Sequence, residues 1–492
     1  MNEEQFQKLA DGGYNRIPLV REVLADTETP LSTYLKLAKG KHSYFFESVQ
    51  GGEKWGRYSI IGLPCSTVIR VVSDKVTVEE NSQIIEEVST SDPFSFVSDF
   101  KNRFKVAELP DNQRFSGGLV GYFSYDTVRF VEASIGASQG KDELATPDIL
   151  LMLSEEVVVF DNLRGTINFV INVDPTKSDA FAQGQKRLDF LQEQLRNPVP
   201  LPDLQESESL TEVEFSNHFS QQDYHQAVEK IKEYIVAGDV MQVVLAQRMS
   251  VPFDGEPLNV YRALRFLNPS PYMVYFDLGD HHVVSASPEI LARVEAGKIT
   301  VRPLAGTRKR GINEAEDQAL EEDLLADSKE IAEHLMLIDL SRNDSGRVSK
   351  TGSVTVPKQM FVERYSHVMH IASIVESEIR SDKSALDVLQ ATLPVGTLSG
   401  APKVRAMEII DELEQEKRGI YGGAMGYLGW NDNMDMAIAI RTAVIKNNKL
   451  YVQAGAGIVA DSQPELEWEE TQNKARAIVR AVQMANRALS VE

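Results

Sequence analysis

Tyr421-Gly-Gly-Ala-Met-Gly-Tyr-Leu-Gly-Trp430, with the apolar runs Met436 to Ile445 and Leu450 to Ile458 behind it, decides the fold class. These segments are rich in glycine and β-branched residues and read as successive strands. They follow one another without the regular strand–helix alternation that a parallel sheet requires. The reading is α+β, with large, mostly antiparallel β-sheets.

Working outward, Tyr272 to Asp277 and His282 to Ala286 are strands of the same kind, and Met241 to Arg248 is β-rich. The N-terminal part repeats the pattern. Lys41 to Val49 is a strand, Trp55 to Leu63 follows a Gly51-Gly52 turn, and Val68 to Val72 with Val76 to Val78 form a hairpin. Gly117 to Asp126, Leu150 to Phe160 and Thr166 to Val173 are further strands, the last after the turn Asp161-Asn-Leu-Arg-Gly165. Helices are expected at Phe181 to Leu195, Gln221 to Ala237, Glu321 to Leu340 and Lys403 to Leu413. In the second of these, Tyr224, Val228, Ile231 and Ile235 share a face and Gly238 suits the stop. Asn197-Pro-Val-Pro-Leu-Pro, continuing polar to Ser209, is the linker candidate. It divides an N-terminal region, 1–200, from a C-terminal one, 213–492.

The chain has 492 residues, 42% of them hydrophobic, with a formal net charge of −22. That charge argues against nucleic acid or an anionic membrane as the main partner. No apolar run reaches the length of a membrane span, and the first residues lack a signal-peptide pattern, so a cytoplasmic protein is expected. The single cysteine, Cys65, fits a reducing compartment and leaves no Cys/His zinc spacing.

Chemistry enters after the last strand. Asp461-Ser-Gln-Pro464 can open a helix, with Asp461 or Ser462 as its cap and Pro464 in the first turn. Glu467, Glu470 and Lys474 then share one stripe. Glu330 and Glu333 form a second pair at the same spacing. Facing each other, the two pairs would make an all-oxygen site for a hard cation such as Mg²⁺. Gly455 and Gly457 allow a ligand close to backbone N–H groups, or a strand crossing. Arg441 is a charge in an otherwise apolar run and suits bidentate carboxylate binding if buried. His370 is either satisfied structure or a catalytic group. Thr397 and Ser399 sit in a Gly/Pro-rich loop as ligand contacts or helix caps.

Leu304-Ala-Gly-Thr-Arg308, Glu333-His-Leu-Met-Leu-Ile-Asp-Leu-Ser-Arg-Asn-Asp344, Gly396-Thr-Leu-Ser-Gly-Ala-Pro-Lys403, Tyr421-Gly-Gly-Ala-Met-Gly-Tyr427 and Gly455-Ala-Gly-Ile-Val-Ala-Asp-Ser462 together resemble the chorismate-utilising enzymes. Phe45-Phe-Glu-Ser48 and Trp55-Gly-Arg-Tyr-Ser59 resemble the N-terminal region of the family's anthranilate synthase branch. The resemblance implies an antiparallel β-sandwich with helices outside. It implies Mg²⁺ ligands at Glu333 and Glu470, with Glu330 and Glu467 near the metal. It implies substrate contacts at Gly306, Thr307, Tyr421, Arg441, Gly455, Ala456, Gly457 and Lys474. Glu289 matches the general acid that releases the C4 hydroxyl, and His370 and Thr397 match catalytic positions. Ser48, Pro271, Tyr272 and Met273 resemble a tryptophan effector site.

The implied reaction is Mg²⁺-dependent amination of chorismate by ammonia, with loss of pyruvate to give anthranilate. Relatives that add water carry a base lysine where Gln242 stands, and one kind of aminodeoxychorismate synthase carries a nucleophilic lysine where Ala305 stands. Neither lysine is present. Nothing resembles the family's glutaminase cysteine, so a separate glutamine amidotransferase subunit is expected to supply ammonia.

Overall fold

The computed structural model describes residues 1–49, 56–108, 114–136, 138, 140–200, 215–365, 368–487 and 489. The expected Gly51-Gly52 turn lies outside them, as does the linker from residue 201 onward.

Two antiparallel sheets of twelve strands each make the frame. In the first, the order is Ile17–Leu24, Thr166–Val173, Glu156–Asp161, Tyr58–Gly62, Ser43–Glu47, Tyr272–Asp277, His282–Ser287, Thr442–Lys446, Lys449–Ile458, Gln242–Pro252 and Ser216–Asn217. The short strand Gly400–Ala401 also pairs with Gln242–Pro252. The second runs Leu304–Lys309, Val368–Glu378, Lys298–Val301, Ile290–Glu295, Met434–Ile438, Ala424–Gly429, Gly118–Phe123, Ile149–Ser154, Thr67–Val72, Lys75–Glu80 and Gln83–Ser89, with Thr355–Arg364 against Val368–Glu378. Each sheet continues across the two halves of the chain, through Phe46 opposite Val274 in one and Val120 opposite Tyr427 in the other.

Alternation along the strands explains the layers. In Ile149–Ser154, Leu150 and Met152 turn to a core shared with Tyr44, Val120, Tyr122, Val274, Phe276 and Val283 from both sheets. Ile149, Leu151 and Leu153 turn to the opposite face, under the Pro93–Asn102 and Ala385–Thr392 helices. The outer face of the first sheet is covered by Pro30–Leu37, Ala180–Gln194, Pro257–Leu267 and Pro464–Asn486. Helices therefore lie outside two stacked sheets, as a period-two pattern with both faces buried requires.

Several elements match the sequence reading to the residue, among them Gln221–Ala237, with Gly238 left-handed at its end, Lys403–Leu413 and Thr166–Val173. Three differ. Leu150 to Phe160 is two strands in different sheets, parted at Glu155. Met436 to Ile445 is likewise two, Met434–Ile438 in the second sheet and Thr442–Lys446 in the first; Arg441 sits in the crossing with a φ of 49°. Both faces of these strands are buried, so nothing in their composition marks where one sheet gives way to the other. The helix expected over Glu321 to Leu340 is two, Glu314–Ala326 and Ser328–Gly346. Asp327 ends the first and caps the second, accepting the N–H groups of Lys329 and Glu330. No described helix is long and apolar enough to cross a membrane.

Candidate active site

Two chain crossings between the sheets lie side by side. Glu289 stands between His282–Ser287 and Ile290–Glu295, and Arg441 between Met434–Ile438 and Thr442–Lys446. The crossings are laced together. Ile438 donates its N–H to the Glu289 carbonyl at 3.0 Å, and the Ser287 hydroxyl donates to the Ile438 carbonyl at 2.7 Å.

Glu289 is 6% exposed. Burial pushes its carboxyl up to about 8, although the Thr397 hydroxyl donates to it at 3.3 Å and Arg302 and Arg441 lie near. Desolvation outweighs these influences and a backbone hydrogen bond from Leu304, so this acid holds its proton at neutral pH. Arg441 is pulled down by burial, with Tyr365 and Glu289 the charges that oppose this. Arg302, which the sequence reading missed, is buried, pairs with Glu363 and donates to the Tyr365 phenol at 3.3 Å.

His370 lies on Val368–Glu378, opposite Thr307. Burial lowers it to about 4, with Arg441, Arg302 and Lys474 adding to that against the Gly306 hydrogen bond. The ring is therefore neutral. Its Nδ1 is 2.9 Å from the Gly306 carbonyl oxygen, which can only accept. Nδ1 thus carries the proton and Nε2 is left as the acceptor. Gly306 forms a bulge with a φ of 64°, and a Cβ there would come within 3.2 Å of a Glu330 oxygen.

The open edge of Lys449–Ile458 borders the same region. Thr442–Lys446 pairs only with residues 449–452, so from Gln453 to Ile458 that edge has no strand beside it among the described residues. There Gly455 donates its N–H to the Tyr421 phenol oxygen, and its carbonyl accepts from Lys474 at 2.9 Å. By strand periodicity, the backbone groups of Gly457 face the same edge. A Cβ on Gly457 would lie 2.4 Å from the Gln242 amide nitrogen. The close approach that the sequence reading left between ligand and strand crossing is, at Gly457, contact with Gln242. Ala456, between them, is fully buried.

The two glutamate pairs flank this edge on different helices. Glu330 and Glu333 stand on Ser328–Gly346; Glu467 and Glu470 stand on Pro464–Asn486. The structure does not bring three of the four within 4.8 Å of one another. Each has a partner on the protein: Glu330 the Arg308 guanidinium at 3.5 Å, Glu333 the Gln242 amide at 3.3 Å, Glu467 the Ser462 hydroxyl, and Glu470 the Lys474 ammonium at 2.6 Å. Like charges repel, and these partners hold them apart. Glu330 is raised by burial, then by Glu333 and Asp327; Glu467 is raised by burial and by Glu470. Carboxylates destabilised in this way suit a divalent cation. The expected caps of the second helix act elsewhere. Its N-cap is Gln463, without a side-chain bond, while Asp461 pairs with Lys329 and Ser462 turns to Glu467.

Among the described residues, a single group of three carboxylate or histidine side chains has ligand atoms within 4.8 Å of one another: Glu143, His218 and Glu416. Arg248 contacts Glu416 at 3.2 Å and Lys449 contacts Glu143 at 3.6 Å, so its two carboxylates are already neutralised. It reads as an ion network joining three segments.

A second cavity, about 590 Å³ with its open mouth, lies between the sheets. Ser48, Pro271, Tyr272 and Met273 all line it, with Phe46, Tyr58, Arg114, Arg293, Tyr427 and Asp435. Sequence reading gathered the first four and missed the charged group, whose members come from three distant segments.

The fold and these two sites define a class, and the chain belongs to it: the profile of the chorismate binding enzyme family matches residues 42–480. The chain is 59% identical to anthranilate synthase component 1 of Pseudomonas aeruginosa, over 99% of its own length and 100% of the relative's. It is 50% identical to the protein of that name from Aquifex aeolicus, over 98% and 97%. The crystal structure of anthranilate synthase component I from Streptococcus pneumoniae superposes with a TM-score of 0.77 at 38% identity, covering 93% of this chain and 98% of that one. The menaquinone-specific isochorismate synthase of Escherichia coli shares the fold, with a TM-score of 0.70 at 19% identity.

Proposed function

We propose that this chain aminates chorismate with ammonia and expels pyruvate, giving anthranilate, the first step of tryptophan biosynthesis. The observation that carries this reading is the buried Glu289 carboxyl, pushed up to about 8 by desolvation, beside Thr397, Arg302 and Arg441. Ammonia adding at C2 of chorismate drives out the C4 hydroxyl, and that group needs a proton to leave as water. Glu289 supplies it. Arg441, the Tyr421 phenol and the open edge at Gly457 offer donors to a carboxylate. His370, neutral and held by Gly306 and Thr307, is placed to accept the C2 proton in the second step, when pyruvate departs. Lys474 adds positive charge near a dianionic substrate.

Glu330, Glu333, Glu467 and Glu470 would hold Mg²⁺, whose charge would offset the ring carboxylate of chorismate. Gln242 cannot deprotonate water and Ala305 cannot attack carbon, which favours ammonia over the sibling reactions. Ammonia comes from a separate glutamine amidotransferase subunit; the relatives' designation as component 1 supports that reading. The cavity beside Ser48 takes tryptophan as a feedback inhibitor. Its size, aromatic lining and paired charges suit an amino acid with a large ring.

The test uses the purified chain with chorismate, Mg²⁺ and an ammonium salt at mildly alkaline pH, following anthranilate fluorescence with and without tryptophan. A metal-dependent rise, suppressed by tryptophan, is expected. Chorismate consumption without anthranilate would replace this reading with an aminated product that keeps its pyruvyl group. Tryptophan binding with no turnover, with ammonia and with the amidotransferase added, would replace it with a non-catalytic sensor.

A further inference from the structure

Glu333 and His334 are neighbours on Ser328–Gly346, and successive helix residues point about 100° apart. Glu333 turns to Gln242 in the first sheet. His334, fully buried, turns to Ser373 in the second, with Nε2 2.7 Å from the hydroxyl oxygen. That hydroxyl also accepts the Met360 N–H at 2.9 Å, so its own proton is available to the ring. Ser373 lies on the strand that carries His370.

The His334 ring is poor value as a stability device. Its Nδ1 is buried and has no hydrogen-bond partner among the described residues. A buried polar atom left unpaired is a cost that an apolar side chain of similar size avoids. What the ring adds is direction. The helix is pinned to one sheet through Glu333 and to the other through His334, while Arg308 grips its cap, Asp327, at 2.8 Å. A rotation of about 20° would move groups at the helix surface, roughly 5 Å from the axis, by about 2 Å. A metal site does not tolerate that displacement.

We propose that His334 is a positioning residue, which through Ser373 fixes the rotation of the Ser328–Gly346 helix and so aims Glu330 and Glu333 at the cation. This rests on the reading that those glutamates hold Mg²⁺. The experiment measures Mn²⁺ and Mg²⁺ affinity of the full chain by calorimetry, with thermal melting and steady-state kinetics alongside, for Ser373→Ala, His334→Leu, His334→Gln and Glu333→Gln. Ser373→Ala and His334→Leu are expected to weaken metal binding about tenfold or more, the scale of lost outer contacts to metal ligands. Turnover should recover at raised Mg²⁺, and His334→Gln, which can still reach the hydroxyl, should restore part of the affinity. If His334→Leu does not fold, Ser373→Ala, which removes only a hydroxyl, decides alone. Wild-type metal affinity in Ser373→Ala, with affinity lost in Glu333→Gln, would overturn the proposal and leave the metal reading standing. Unchanged affinity in Glu333→Gln would overturn both.

Discussion

In the cavity beside Ser48, Asp435 takes the Arg293 guanidinium at 2.8 Å, that of Arg114 at 3.1 Å and the Tyr272 hydroxyl at 2.8 Å. At the crossings, Glu289 keeps its proton and no ion pair to the Arg441 guanidinium forms among the described residues. Both regions are buried ends of the same strands: Ile290–Glu295 starts beside Glu289 and carries Arg293 to the cavity, and Met434–Ile438 carries Asp435 and leads to Arg441. In the cavity each of these charges has a partner on the protein, one carboxylate serving two guanidiniums. The crossings hold charges that a ligand must balance. On the proposed reading, a pocket of the first kind selects its ligand by shape, and one of the second kind stabilises the charge that develops on a bound anion.

The largest effect should come where the unbalanced charge is greatest. Replacing Glu470 with Gln is expected to cut metal-dependent turnover about 100-fold or more, the scale of losing one electrostatic group from a preorganised site. Full activity in this variant, measured over a Mg²⁺ titration, would place the metal elsewhere and dissolve the contrast. Next, Arg441→Met should raise the KM for chorismate by roughly thirtyfold, or about 2 kcal/mol for a charge-assisted hydrogen bond. A change in kcat with KM unmoved would assign Arg441 to the departing group instead of the bound carboxylate.

The contrast also divides what was legible in the sequence. Gln221–Ala237 and Lys403–Leu413 could be read because apolar spacing and a terminal glycine, or a preceding proline, are local signals. The crossing at Arg441 could not. Its left-handed backbone is rare for a residue with a Cβ, and the flanking runs are equally apolar. The break at Asp327 had a signal, an Asp followed by Ser-Lys-Glu, but helical periodicity on both sides hid it. Glu333 was found in a long motif, Glu330, Glu467 and Glu470 by their helical spacing, and Glu289 and His370 through the family resemblance. Arg302, Arg114, Arg293 and Asp435 were missed because isolated charges in or near strands gain meaning only when sheets bring them together. The same holds for His334, which lies inside a quoted motif but shows its partner, Ser373, only in the fold.

A smaller effect tests the cavity alone. Ser48→Phe places a ring where the resemblance expects tryptophan. Inhibition should weaken at least about tenfold, or ~1.4 kcal/mol, while turnover without tryptophan stays within about twofold. Inhibition at wild-type strength would mean that tryptophan acts elsewhere. Lost turnover would mean that the two regions are less separable than their charge balance suggests.

The finest test is one of sign. The Thr397 hydroxyl donates to the Glu289 carboxylate and so favours the ionised form, yet burial still holds the acid near 8. In the proposed reaction protonated Glu289 is the active form, so kcat/KM should fall as pH rises through about 8. Thr397→Val removes the donor and leaves burial unopposed on that side. The acid should then lose its proton later, and the alkaline limb should move up by under about one unit, the scale of one hydrogen bond. A limb that moved down would mean that Thr397 acts mainly by excluding water or positioning Glu289, since either loss would let solvent stabilise the carboxylate. A limb that stayed in place, with Glu289→Gln inactive, would assign the titration to another group and take from Glu289 the held proton that sets the crossings apart from the cavity.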